Sequence, residues 1–190
     1  MITVIEELGP MVSRRSEHRL TLVPLLIAFA IGIASATQIA MLGALSRQRG
    51  ITEATWVSML ATITGIALVI GVRAWRGEAP ALPSPITPAG LFLVVSGIAA
   101  VLLVLSLRGI APYYGTTGLF AVAFLLGTAA VVPKIGVALF FVINASGSLL
   151  GAVFFDQIGA FGAVPNPVTP MRLIGFLVVF AGILVVRFAR

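Results

Sequence analysis

The sequence predicts an all-α protein, a polytopic membrane helix bundle of about six transmembrane helices with almost no soluble part. Three observations predict it. Of 190 residues, 59% are hydrophobic and 9% charged, where soluble domains carry about 25% charged residues. Mean hydropathy is +1.15. Apolar stretches of about 20 residues, the length that crosses a hydrocarbon core of about 30 Å, recur along the whole chain.

Residues 1–19 are polar enough for a short cytoplasmic tail or a surface helix, and residues 20–190 form a single transmembrane domain. The first span covers 20–45 and is too long for the apolar core of a cleavable signal, so it is expected to be retained. Arg47, Gln48, Arg49 and Gly50 end it. The second covers 55–72, with Thr52 placed as N-cap and Glu53 in the first turn, where the helix dipole favours an anion. Residues 77–88 hold Pro80, Pro83, Pro85 and Pro88 and read as an extended loop. Spans at 89–107, 114–132, 135–155 and 171–186 follow, with Pro133 and Lys134 making a tight turn between the fourth and fifth.

Six spans put both termini on one side. That side receives Arg14, Arg15, Arg19, Arg73, Arg76, Lys134, Arg187 and Arg190, and the other receives Arg47, Arg49, Arg108 and Arg172. The excess of basic residues on the first side predicts cytoplasmic termini. Basic residues scattered singly between apolar runs are topology signals rather than a nucleic-acid groove, so nucleic acid is not an expected partner despite the charge of +6.

Lipid tails are as apolar as leucine, so helices in a bilayer associate through small residues that let backbones approach. Asn144, Gly147, Ser148 and Gly151 form one such stripe, as do Thr55, Ser58, Thr62 and Gly65. Gly32, Ser35, Ala36, Ile39 and Gly43 mark the contact side of the first helix, and Gly115 and Gly118 join the packing set. These stripes read either as packing seams or as walls of a polar cavity near the midplane. Gln38 and Asn144 are the amides well inside spans; with Ser148 they are the candidate substrate-binding residues, the alternative being hydrogen bonds between helices. Asp156 sits at a span end, where it either caps the following turn or serves as a proton or cation site. Tyr113, Tyr114, Trp56 and Trp75 are expected at the headgroup zone.

Enzymatic constellations are missing. There is no cysteine, His18 is the only histidine, and no paired carboxylates sit in a span, so neither catalysis, a metal site nor a cofactor is expected. No P-loop is present for binding ATP.

The run from Gly147 through Ser148, Gly151, Asp156, Gly159, Phe161 and Gly162, followed by Pro167, Arg172, Gly175 and Gly182, resembles the YdcZ-like family of small inner-membrane proteins. That family belongs with the drug/metabolite transporter superfamily. Gly115 to Gly118, the Pro133 to Gly136 turn and Gln38 add to the likeness. Leu42 and Ser148 stand where the family usually carries amides, and the 89–107 span looks additional to its usual five helices. Six helices permit a 3+3 inverted repeat, and Gly32, Gly50 and Gly65 recur as Gly118, Gly136 and Gly151 at one constant offset.

The resemblance implies an inner-membrane permease or exporter working on an unknown small molecule by alternating access, pairing with itself or a paralogue. The competing expectation is a non-transporting scaffold or accessory subunit of a larger complex.

Overall fold

The computed structural model describes residues 3–78, 80–81 and 89–188. Pro83, Pro85 and Pro88 of the expected loop lie outside the described residues, as do Arg190 and the side chains of Arg14, Arg15, Arg19 and Arg187. The chain is helical almost throughout: α1 (Thr3–Arg49), α2 (Ile51–Trp75), α3 (Ala89–Ser106), α4 (Thr117–Ile135), α5 (Val137–Ile158) and α6 (Pro170–Phe188). Tight 3-10 turns cover Pro112–Thr116 before α4 and Ala160–Gly162 after α5. Among the described residues, five helical stretches are long and apolar enough to cross a membrane: Leu22–Arg49, Ile51–Trp75, Ala89–Ser106, Pro112–Ile135 and Val137–Ile158. α6 adds 19 residues. Large apolar side chains cover the outside, including Ile39 at 68% exposed and Phe141 at 70%, a surface that only lipid can solvate cheaply.

Both tight reversals depend on glycine. Gly50, not Thr52, is the N-cap of α2, with φ 90° and ψ 163°. Gly136 joins α4 to α5 with φ 83° and ψ 157°, and Pro133, expected in that turn, lies inside α4. A one-residue reversal needs a positive φ that glycine adopts without strain, so each helix runs on until it meets one. The two turns also hydrogen-bond alike. Gly50 N donates to Ser46 O at 2.9 Å and Gly136 N to Val132 O at 2.8 Å, while Ala54 N and Phe140 N each donate back to the glycine carbonyl at 3.1 Å.

Gly50 and Gly136 are 86 residues apart, and the same shift relates the packing of the whole core. A Cβ on Gly32 of α1 would fall on the Asn144 carbonyl oxygen of α5 and 2.8 Å from Ser148 N. A Cβ on Gly118 of α4 would fall on Thr62 N of α2 and 2.5 Å from Ser58 O. Moving Gly32 by 86 gives Gly118, and moving Ser58 and Thr62 gives Asn144 and Ser148. Lower contacts repeat too. A Cβ on Gly151 would lie 2.8 Å from Ala36 Cβ and 3.5 Å from Ile33 Cα, and one on Gly65 would lie 3.0 Å from Leu119 and Val122, the equivalents of Ile33 and Ala36. The α1–α5 pair and the α4–α2 pair are therefore one packed unit built twice. α1 and α4 pack antiparallel, the end of one beside the start of the other, so the two units run through the bundle in opposite directions.

The two units meet where α1 packs on α4, and α3 lies along α2 while α6 touches α5 only lightly. An apolar cluster closes each end of the junction. One holds Met41, Ala44, Leu45, Ala54, Val57 and Tyr114; the other holds Ala28, Ile31, Val131, Ile135 and Phe140. The repeat relates them as well: Leu45, Ala54 and Tyr114 of the first correspond to Val131, Phe140 and Ala28 of the second.

Backbone-to-backbone contact leaves no room for a side chain at Gly32 or Gly118. Gly32→Val and Gly118→Val should each cost about 3 kcal/mol in a denaturation titration in detergent. Gly97→Ala, where no atom lies within 4 Å of the added methyl, should stay within about 0.5 kcal/mol of the parent.

Candidate functional site

The α1–α4 junction is the surface between the two packed units, and its lining is set by helical spacing. Ile31 of α1 presses on Gly127 of α4. Gln38 stands midway in sequence between Ile31 and Leu45, both of which belong to the end clusters, and shares their face of α1. That face is turned about 120° from Gly32 and the α5 contact. Gln38 is half-buried, and its repeat equivalent on α4 is Phe124, whose ring meets Phe140 edge-on at 6.5 Å between centroids. Thr128, one residue past Gly127, has a buried hydroxyl oxygen with no hydrogen-bond partner among the described residues. The sequence reading passed over Thr128. A lone threonine in an apolar helix normally bonds back to its own backbone, as Thr62 does to Ser58 O at 2.8 Å and Thr64 to Leu60 O at 2.8 Å.

Asn144 and Ser148 occupy a different surface. Both lie on the α1–α5 seam, where Gly32 packs onto their backbone atoms. The Asn144 Nδ2 donates to Ala28 O at 3.5 Å, a long interhelical bond. The three candidate substrate residues thus fall on two surfaces, with Asn144 and Ser148 together and Gln38 on another side of α1.

The end carrying Tyr114 is the more elaborate. Tyr114, expected as an anchor in the headgroup zone, is 1% exposed and turned into the bundle. The 3-10 turn that begins at Pro112 folds it inward, and its hydroxyl accepts from Gln48 Nε2 at 3.0 Å. Tyr113 is 45% exposed, Trp56 52% and Trp75 76%. Tyr113 contacts Tyr114 and Phe161 at centroid distances of 4.5 and 6.0 Å, and Phe155 meets Phe161 at 5.9 Å. Phe161 takes a left-handed conformation, φ 55°, to reach this cluster.

Asp156 does not stand alone. Its Oδ2 accepts from Arg172 Nη2 at 3.2 Å, tying the end of α5 to the start of α6, and its backbone carbonyl accepts from Asn166 N at 2.8 Å. No group of three His, Cys, Asp or Glu side chains is placed to hold a metal ion among the described residues. Every Asp, Glu, Lys, Arg and His lies outside residues 22–46, 54–72, 89–107, 109–133, 135–155 and 173–186. The interior can therefore offer amide, hydroxyl, carbonyl and aromatic groups, but no fixed charge.

A family model described as "Putative inner membrane exporter, YdcZ" matches residues 87–185, just over half of the chain. No curated protein and no solved structure matches it.

Asn144 and Gln38 should differ in what they do for stability. Asn144→Leu should cost about 0.6 kcal/mol, the usual worth of a hydrogen bond between helices in a bilayer. Gln38→Leu, which breaks no bond seen here, should change the same denaturation midpoint by less than about 0.5 kcal/mol.

Proposed function

Because the chain belongs to the YdcZ family of inner-membrane exporters, we propose that it carries a small molecule across that membrane by alternating access between α1 and α4. The observation that carries this reading is the pairing of two glycine-locked units with an apolar cluster at each end of their junction. Within a unit the helix backbones touch, so α1 moves with α5 and α4 with α2. Rocking one unit on the other opens one end of the junction. Each opened cluster exposes apolar surface at about 25 cal/mol per Å², so opening both ends together costs about twice as much as opening one. Alternation is the cheaper path, and it keeps the membrane sealed.

Gln38, near the middle of the junction, is the amide that a passing solute meets; Asn144 and Ser148 line the seam that must hold firm while the units move. Glu53 and Asp156 lie at the ends of their spans and no carboxylate lies deeper, so proton exchange of the kind used by small multidrug resistance exporters has no mid-membrane carboxylate here to work through. Both termini face the cytoplasm in this reading, which places Tyr114 at the outer end. Pairing with a second copy or a paralogue belongs to the same proposal, since six short helices enclose little volume.

The absence of cysteine makes the test direct. Leu45→Cys reports the Tyr114 end and Val131→Cys the Phe140 end, each labelled in membrane vesicles with an impermeant maleimide. Adding Tyr114→Ala should raise labelling of the first from the outer face and lower labelling of the second from the inner face. A rise at both would mean that the bundle has merely loosened, and alternating access would be abandoned.

A further inference from the structure

Where the end of α1, the start of α2 and the end of α3 meet, a cavity of about 330 Å³ opens at the Tyr114 end of the bundle. Its floor is apolar, with Leu45 and Val57, and its wall carries Arg49, Glu53, Trp56 and Arg108. Arg49 is held in place: its Nη2 donates to Arg108 O at 2.7 Å, and its Nη1 lies 3.6 Å from Glu53. Trp56 Nε1 donates to Ser106 Oγ at 3.3 Å, which fixes the indole across the mouth. Arg108 is exposed, and its guanidinium makes no hydrogen bond or ion pair with another described residue.

The internal repeat supplies a control for what this corner needs in order to fold. At the opposite end the equivalents of Leu45 and Val57 are Val131 and Ile143, so the apolar floor is kept. The equivalents of Arg49, Glu53 and Trp56 are Ile135, Leu139 and Val142, so the polar wall is not. The same helix–turn–helix corner forms without any of those three polar or amphipathic groups. Their presence at one end alone requires a reason other than packing.

We propose that this corner binds the phosphodiester headgroup of a membrane phospholipid. Two guanidiniums and one carboxylate leave a net charge of one positive unit, which matches a singly charged phosphodiester. Arg49 uses only part of its fork of five N–H donors, and Arg108 presents its whole fork, so both non-bridging oxygens of one phosphate find donors. Trp56 at 52% exposed and Leu105 at 45% form the open side, where an acyl chain continues from the headgroup into the bilayer.

Trp56 reports on its own site once the second tryptophan is removed by Trp75→Phe. With that protein in neutral maltoside detergent, dihexanoylphosphatidylglycerol should change the indole fluorescence saturably. Arg108→Gln, in an exposed turn with no packing role, should weaken the response about tenfold, equivalent to about 1.4 kcal/mol. Dihexanoylglycerol, which lacks the phosphate, should give no saturable change. An equal response to dihexanoylglycerol, or an unchanged response in Arg108→Gln, would overturn the site. Glycerophosphoglycerol saturating at the same concentration as the lipid would overturn the lipid as occupant and assign the cavity to a soluble phosphodiester.

Discussion

Contact between helix backbones is the constraint on which this protein depends. In a bilayer the hydrophobic effect does not draw one apolar helix to another, and cohesion must come from dispersion at close range and from hydrogen bonds. Gly32 against Asn144 and Ser148, Gly147 against Phe29, and Gly118 against Ser58 and Thr62 are points where a helix comes so close to its neighbour's backbone that even a methyl group would collide. The helices that make these contacts are locked as pairs, and everything else is arranged around the surface left between the pairs.

Duplication of that unit explains features that would otherwise look unrelated. The glycine turns at Gly50 and Gly136 and the apolar floors at Leu45 and Val131 are pairs under one shift. Departures from the repeat are then informative. Tyr114 sits opposite Ala28 and Phe140 opposite Ala54, so each end takes its one large ring from a different position of the unit. The ion pair of Arg49 and Glu53 is present in one unit alone, since the second has Ile135 and Leu139 at the equivalent positions. A protein whose halves are equivalent in packing and unequal in polarity has two chemically distinct ends.

Much of the architecture was legible in the amino-acid sequence because bilayer physics is written in composition and segment length. The stripes of Ser58, Thr62 and Gly65 and of Asn144, Gly147 and Gly151 were found by spacing alone, and they are the seams seen here. Other positions misled. Ile39 and Thr55, placed on contact stripes, point outward, because a single α-helix face is narrower than a run of four or five spaced residues implies. The burial of Tyr114 was not readable, since the turn after Pro112 rather than the residue type aims the ring. The repeat surfaced only as a coincidence of three glycines. Its other partners touch through backbone atoms, which leaves their side chains free to differ, as Ser58 and Asn144 do. The same freedom explains why Gln38 and Asn144, alike in chemistry, lie on different sides of α1.

The account stands on the claim that the two packed units cross the membrane in opposite directions. Ile51 and Val137 are equivalent first residues of α2 and α5, exposed at 79% and 68%, so a cysteine at either is open to labelling without disturbing a contact. In intact cells an impermeant maleimide should label Ile51→Cys from outside and should reach Val137→Cys only after the membrane is breached. Labelling of both from the same side would contradict the inverted repeat and, with it, the two-gated junction between α1 and α4.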